Sequence, residues 1–308
     1  MSAIEEYRVW AATCTHLPLF FQPWWLDAAC GDAWAVALAK DAEGKIIAVM
    51  PYVWQKRWGL KGIDMPTLTP YLGPWYDFPE GLKKANRYAL EHKVQAQLLA
   101  QVPTALFFRQ RWHPQLHNAL GFRWQGFQLD IKYTYCIDVQ QGDLSDHFTT
   151  ALRNKIRNAH KLYHIEKATS TEGFYAINQL SFAAQKMKMP YTAEQFERLF
   201  QASQARQAGI LYWAVQEQTG AKEAAIWVLR DQHWAYLLAS GRSSDAHNGA
   251  VAMLIEQAIQ DAAASGLQVF DFEGSSLKGV EGFFRQFGGE LKVGLVVKKW
   301  RVIHKSAH

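Results

Sequence analysis

Apolar positions recur along this chain in two rhythms, one helical and one alternating, and the switches between them mark out elements. Residues 4–14 keep helical spacing, and LPLFFQPWWLDAAC predicts a loop and a second helix with Pro23 in its first turn. WAVALAKDAEGKIIAVMPYVW predicts a hairpin whose two apolar runs flank a turn from Asp41 to Gly44. The Gly-, Pro- and aromatic-rich stretch KRWGLKGIDMPTLTPYLGPWYDFP predicts an irregular ordered loop, or a strand with long flanks. Next come a helix over GLKKANRYALEHKVQAQLLAQV, a buried strand at PTALFFRQ, a short helix at HPQLHNALGF stopping at Gly121, and strand material through RWQGFQLDIKYTYCIDV.

The second half begins with a basic amphipathic helix over 144–162 and a strand at HIEKAT. Two helices follow, GFYAINQLSFAAQKM and AEQFERLFQASQARQ. LYWAVQEQTGAKEAAIWVLRDQHWAYLLASG predicts a three-strand meander with turns at Thr219-Gly220 and Asp231-Gln232. A strong helix ending at Gly266, a strand at LQVFDFEGS, a helix at LKGVEGFFRQFGG and a last strand at ELKVGLVVKKW complete the chain. The order from Trp34 to about Val139 returns from Leu211 to Trp300: strands, helix, strand, short helix, strand. FFRQRWHPQLHNALGFRW and FDFEGSSLKGVEGFFRQFGGEL each place a polar junction between a strand and a helix that ends in an aromatic-containing Gly turn. Duplication of one α/β unit is the reading, with halves at 1–142 and 143–308 and the final strand, 290–303, free to pack across to the first half.

Composition adds little to this picture and removes several alternatives. The 308 residues suit two domains, and 49% hydrophobic with 20% charged residues is ordinary for a globular chain. Thirteen Trp, 12 Tyr and 17 Phe are enough to fill two cores and line a cleft. A net charge of +5 fits an anionic ligand without reaching the density of a dedicated nucleic-acid binder. Cys14, Cys30 and Cys136 lack metal or disulfide spacing, which points to a reducing compartment. With no leader-like N-terminus and no long apolar run, the chain is expected to be cytoplasmic, with no membrane span. No nucleophile motif is present, and His113-x3-His117 lacks the glutamate of a zinc helix, so no metal is expected.

Four stretches resemble the GNAT superfamily, in particular its double-domain FemAB-like branch. These are LFFQPWWLDAAC, ALRNKIRNAHKL at 151–162, LLASGRSSDAHNGAVAMLIEQAI at 237–259, and FDFEGSSLKGVEGFFRQFGG at 270–289. The resemblance implies an α/β fold of two tandem GNAT-like units, mixed sheets flanked by helices, with a cleft between halves. It implies an N-acyltransferase moving an acyl, acetyl or aminoacyl group from acyl-CoA (acetyl-CoA) or aminoacyl-tRNA to an amine acceptor. That acceptor would be a small molecule or a cell-envelope precursor carrying an amine and a phosphate. The alternative within the same resemblance is a catalytically inactive binding or scaffold protein. Two departures stand out: the loop before the central helix reads GRSSDAHNGA without the compact acetyl-CoA pattern, and the helices at 173–207 are short for a tRNA-binding arm.

Acyl transfer to an amine needs positioning, removal of a proton and donors for the oxyanion, so the lack of a triad does not count against it. Asp271 and Glu273 alternate on FDFEG and point to one face, either as base and amine site or as structural carboxylates. Gly274, Ser275 and Ser276 lead into a helix, where their amides hold an anion or Ser276 caps the helix. The resemblance gives Arg285, in FFRQFGG, a place on ligand phosphate or the carbonyl under attack. Arg153, Lys155, Arg157 and Lys161 form a basic stripe, suited to a diphosphate or simply solvated, and Arg242 precedes a helix N-terminus, a place suited to phosphate. Trp58, Tyr71, Trp75 and Tyr76 line the acceptor cleft or pack in a core.

Overall fold

The structure, a computed structural model, describes residues 1–57, 59–142, 144–274 and 277–301, so Trp58, Ser275 and Ser276 lie outside the described residues. The chain divides into two compact units: Met1–Lys132 with the segment from Val293 onward, and Tyr133–Lys292.

Unit 1 opens with α1 (Ala3–Thr13), whose first turn is closed by a reciprocal pair: Ser2 accepts from the Glu5 amide and Glu5 accepts from the Ser2 amide. Helix α2 (Pro23–Cys30) has its proline at the first helical position, where the missing N–H costs nothing. Strands β1 (Trp34–Lys40) and β2 (Ile46–Arg57) form the expected antiparallel hairpin. Asp41 Oδ1 accepts from the amides of Glu43 and Lys45 in its turn. The aromatic-rich stretch resolves into β3 (Leu60–Ile63), β4 (Trp75–Tyr76) and irregular chain between them. After α3 (Lys84–Gln101), β5 (Phe107–Arg111) returns parallel to β3 at Ile63↔Phe108.

The short helix expected to stop at Gly121 instead starts there: α4 spans Leu120–Trp124. Asn118 is the reason. Its Oδ1 accepts the Leu120 amide and its Nδ2 donates to Glu91 Oε2 on α3, which holds the preceding stretch open.

Unit 2 takes β6 (Gln128–Asp138) from Tyr133 onward, then α5 (Thr150–Ala159). The single helix expected over 144–162 is broken. Leu144–His147 form a 3₁₀ turn, and Thr149 caps α5 by accepting the Leu152 amide. Strand β7 (Tyr163–Ala168), helices α6 (Phe174–Ala184) and α7 (Ala193–Gln204), and strands β8 (Gly209–Gln216), β9 (Lys222–Arg230) and β10 (Trp234–Arg242) follow. These four strands form an antiparallel run, β7-β8-β9-β10.

Helix α8 (Ala250–Ala264) buries Met253, Leu254, Ile255 and Ile259 in the unit 2 core, each contributing about 1.5–3 kcal/mol. It leads to β11 (Val269–Asp271), parallel to β10 and antiparallel to β6. Helix α9 (Lys278–Phe284) runs into a 3₁₀ turn that ends at Gly288. The last strand, β12 (Glu290–Trp300), completes unit 1 from Val293 by pairing antiparallel with β5, Val296↔Arg111 to Trp300↔Phe107. Both units therefore contain a strand, a helix and a second strand parallel to the first. No described helix is long and apolar enough to cross a membrane.

Candidate functional site

Strands β10 and β11 run side by side only as far as Tyr236↔Asp271; β11 then stops while β10 continues to Arg242. The alternation expected through Glu273 therefore ends two residues early. Asp271 ends it. Its carboxylate is fully buried (0% exposed), and Oδ1 accepts both the Thr134 hydroxyl (2.5 Å) and the Glu273 amide (2.8 Å). A side chain that captures the amide two residues on offers the backbone an alternative to the ladder.

The chain turns there with Glu273 at φ +61 and Gly274 at φ +50. Gly274 has no substitute at this point, because a Cβ on it would lie 1.9 Å from the Tyr133 carbonyl oxygen. A half-buried Glu in left-handed backbone is uncommon, and such conformations cluster at functional sites. Burial first, then the Asp271 and Glu273 charges, push the Cys136 thiol up. Tyr236 is raised by burial and then chiefly by Asp231, with Asp271 and Glu273 adding to it. Cys136 and Tyr236 stand in register with Asp271 on its two flanking strands. Asp271 thus lies in the sheet and Glu273 in the turn beyond it, so the two do not alternate on one strand face as expected.

Behind the turn, Phe272 packs on Phe284 and Phe287, with ring centroids 5.0 and 5.1 Å apart, which ties α9 to the strand end. Arg285, 68% exposed in its side chain, has Nε 3.7 Å from Glu281 Oε1. The same oxygen accepts the Tyr135 hydroxyl at 2.7 Å, a bond that raises the Tyr135 pKa more than any other influence on it. Tyr135 also accepts the Phe272 amide on its carbonyl. Glu281 and Tyr135 escaped the sequence reading. Glu281 had a signal, its place four residues before Arg285; Tyr135 had none. The structure thus places Asp271, Glu273 and Gly274 at one turn and Arg285 on the helix packed behind it, with Glu281 as its ion-pair partner, while Ser275 lies outside the described residues.

A donor carrying a diphosphate would need free amides in the loop before α8. Four of them are engaged here. Ala246 N donates to Ser243 Oγ (3.2 Å), His247 N to the Tyr163 hydroxyl (2.9 Å), Gly249 N to His247 Nδ1 (3.1 Å) and Ala250 N to the His247 carbonyl (3.0 Å). Arg242 itself donates to the Ala246 carbonyl (3.2 Å), inside the same loop.

Helix α6 also occupies the β10 edge that β11 leaves: Asn178 Nδ2 donates to the Ser240 carbonyl (2.5 Å) and the Arg242 amide to Ser181 Oγ (3.3 Å). Gly241 permits this approach, since a Cβ there would sit 2.6 Å from the Ile177 carbonyl oxygen. Four amides of the loop and the adjoining strand edge are thus bonded to the chain's own groups.

On α5, Leu152, Ile156 and Ala159 are buried, which turns the basic stripe outward. Arg153 lies 3.8 Å from Asp146, and Arg157 donates to Asn154 Oδ1 at 2.7 Å. Tyr71 (2% exposed), Trp75 and Tyr76 belong to unit 1, where Tyr71 and Trp75 hold the His113 ring edge-on at 5.2 and 5.7 Å. His113 and His117 lie in non-helical chain.

Comparison with known proteins gives the following. Residues 147–285 match the family model for an acetyltransferase (GNAT) domain. No curated protein sequence matches the chain. Among solved structures, the fold is similar to that of FemX, with a TM-score of 0.66, 12% identity and 95% of each chain covered. It is also similar to the C-terminal domain of a putative lysylphosphatidylglycerol synthetase from Agrobacterium fabrum (TM-score 0.57, 14% identity, 95% of this chain and 92% of that one). A tandem GNAT protein from the clavulanic acid biosynthesis pathway gives a TM-score of 0.54 at 12% identity, covering 97% of this chain and 96% of that one.

Proposed function

We propose that this chain, which carries an acyltransferase domain of the GNAT family, moves an aminoacyl or other acyl group from an activated ester to an amine. The observation that carries this reading is the strand end itself. A buried Asp271 fixes Glu273 in left-handed backbone where β10 and β11 separate, with Arg285 held nearby on α9.

In this reading Glu273 takes the proton that the amine loses as its nitrogen attacks the donor carbonyl. Arg285 offers charge to the oxygen that becomes negative, and as the tetrahedral adduct collapses the C–O bond to the donor breaks and its oxygen takes the proton back from Glu273, leaving as the alcohol. Asp271 is a positioning residue, being fully buried and spent on Thr134 and the Glu273 amide.

The filled loop at 243–249 favours a donor without a diphosphate cradle, and an aminoacyl-tRNA ester meets that condition. The basic residues Arg153, Lys155 and Arg157 of α5, with Lys161 just beyond it, suit its phosphates. One fold neighbour is named as a putative lysylphosphatidylglycerol synthetase, which supports the phosphate on an acceptor of the envelope-precursor kind, the amine being what the transfer reading itself requires. The test is transfer of a labelled amino acid from a mixed aminoacyl-tRNA pool, and of acetyl from acetyl-CoA, to amine acceptors. Transfer from the tRNA pool that is lost in Glu273→Gln supports the reading; transfer from acetyl-CoA alone would sink the donor assignment.

A second reading, a binding protein without catalysis, draws on the same filled loop and on the α6 side chains that occupy the β10 edge. Silence with both donors, together with thermal stabilisation by an acceptor, would favour it.

A further inference from the structure

Helix α6 has two apolar faces. Phe174, Ile177 and Asn178 form the buried one, against β10. Leu180, Ala183 and Ala184 follow at the spacing of a second stripe, and Met187 extends it in the turn beyond. This second face is open: Leu180 is 51% exposed, Met187 46%, and both alanines are exposed. A helix that is apolar on both sides of a soluble domain leaves one side for a partner. The C-terminal turn explains part of Met187, because its amide closes on the Phe182 carbonyl (2.9 Å) and Lys186 takes the left-handed position. It does not explain Leu180, a full turn and more earlier.

The charge around this face selects the partner. From residue 173 to 193 the chain carries Lys186 and Lys188 and no acidic residue, and both lysines are exposed. Arg242, whose amide is held by Ser181 of α6, adds a third exposed cation beside the helix. Apolar side chains followed directly by two exposed cations match an anionic lipid surface, with the acidic Glu172 and Glu194 standing outside this stretch: the apolar groups enter the acyl boundary and the cations meet headgroup phosphates. A symmetric pairing of two copies through this face would set Lys186 and Lys188 against their own equivalents, which disfavours a second copy as the occupant.

We infer that the exposed face of α6, with Lys186 and Lys188, docks the protein onto anionic membrane surfaces. This rests on α6 alone and not on the transfer reading, so either can fail without the other.

The experiment is vesicle flotation of the full chain with phosphatidylcholine alone and with about a quarter phosphatidylglycerol, at roughly 0.1 M salt. Binding to the anionic vesicles is expected to exceed binding to neutral ones by about tenfold or more. Lys186→Glu with Lys188→Glu should remove most of that excess, and Leu180→Asp with Met187→Asp should abolish flotation. Both pairs should keep the wild-type melting temperature, because the residues they change are exposed. Absence of flotation, equal flotation on both vesicles, or unchanged flotation of both variant pairs would each overturn the inference. So would a dimer in light scattering that Leu180→Asp converts to monomer, since the face would then belong to a second copy.

Discussion

Each unit runs strand, helix, parallel strand and then a turn, but the two turns are made of opposite materials. In unit 1 the chain leaves β5 through Trp112 and His113, both buried. His113 sits edge-on against Tyr71 and Trp75, and its desolvation pushes its pKa down to about 3. Asp64, just after β3, receives Arg109 Nε of β5 at 2.6 Å and clamps the parallel pair. In unit 2 the chain leaves β11 through Phe272, Glu273 and Gly274, and the half-buried group at the turn is a carboxylate. Rings stacked against a turn exclude water and fix it, and the acceptor they enclose, the neutral His113 imidazole, is fully buried and resists protonation. A carboxylate held in left-handed backbone costs stability, and it keeps an acceptor where the strands part. The difference is one of materials: unit 1 closes its junction with packed rings, and unit 2 keeps at its junction the carboxylate on which the proposed transfer relies.

The largest effect that could break this comparison is kinetic. Glu273→Gln should lower transfer by about 10²–10⁴, with a melting temperature near wild type. His113→Phe, the matching change in unit 1, should leave transfer within about twofold, because an aromatic ring of similar size replaces one packed against rings. The reverse outcome, measured as initial rates on both variants, would assign the chemistry to unit 1.

Next in size are two changes in stability. Gly274→Ala should cost about 3 kcal/mol or more, since a methyl cannot share space with the Tyr133 carbonyl. Asp271→Ala should cost about 1–3 kcal/mol by stranding the Thr134 hydroxyl and the Glu273 amide. Both follow from urea midpoints, and a neutral Gly274→Ala would mean the turn is looser than described.

The unit 1 turn makes its own prediction through pH. The unfolded chain protonates His113 near its ordinary value of 6.5, whereas the folded chain resists until about 3. Stability from this group is therefore complete above pH 6.5 and is lost as the pH falls toward 3, by up to about 1.4 kcal/mol per pH unit. His113→Phe should flatten that acid slope in urea titrations; an unchanged slope would mean His113 is protonated in place.

Much of this architecture was legible in the sequence, because it is written in periodicity. The hairpin at Asp41–Gly44, the meander β8–β10 and the long apolar helix α8 all follow from apolar spacing and turn residues. What was not legible is where side chains compete with the backbone. Asp271 ends β11 by taking the Glu273 amide, Thr149 starts α5 anew, and Asn118 delays α4. The carboxylate pair and Arg285 were visible as residue types in a pattern. Tyr135 was not, because its bond to Glu281 spans 146 positions of sequence. The bond from the His247 amide to the Tyr163 hydroxyl was equally hidden, since it spans 84 positions, whereas that from the Gly249 amide to His247 is local.

The smallest expected change sharpens the unit 2 side of the comparison. Arg285 meets Glu281 at 3.7 Å with most of its side chain in water, and exposed pairs of this kind contribute about 0.2–1 kcal/mol. Arg285→Ala should therefore shift the urea midpoint by no more than that amount. If Arg285 meets charge that develops on the reacting oxygen, kcat should fall while KM stays near wild type. If it only binds a ground-state phosphate, KM should rise at constant kcat. Arg285→Lys separates the two further, since a lysine restores a point charge but not the planar fork. A variant that keeps both constants would leave Arg285 as Glu281's surface partner, and the chemistry at the strand end would then rest on Glu273 alone.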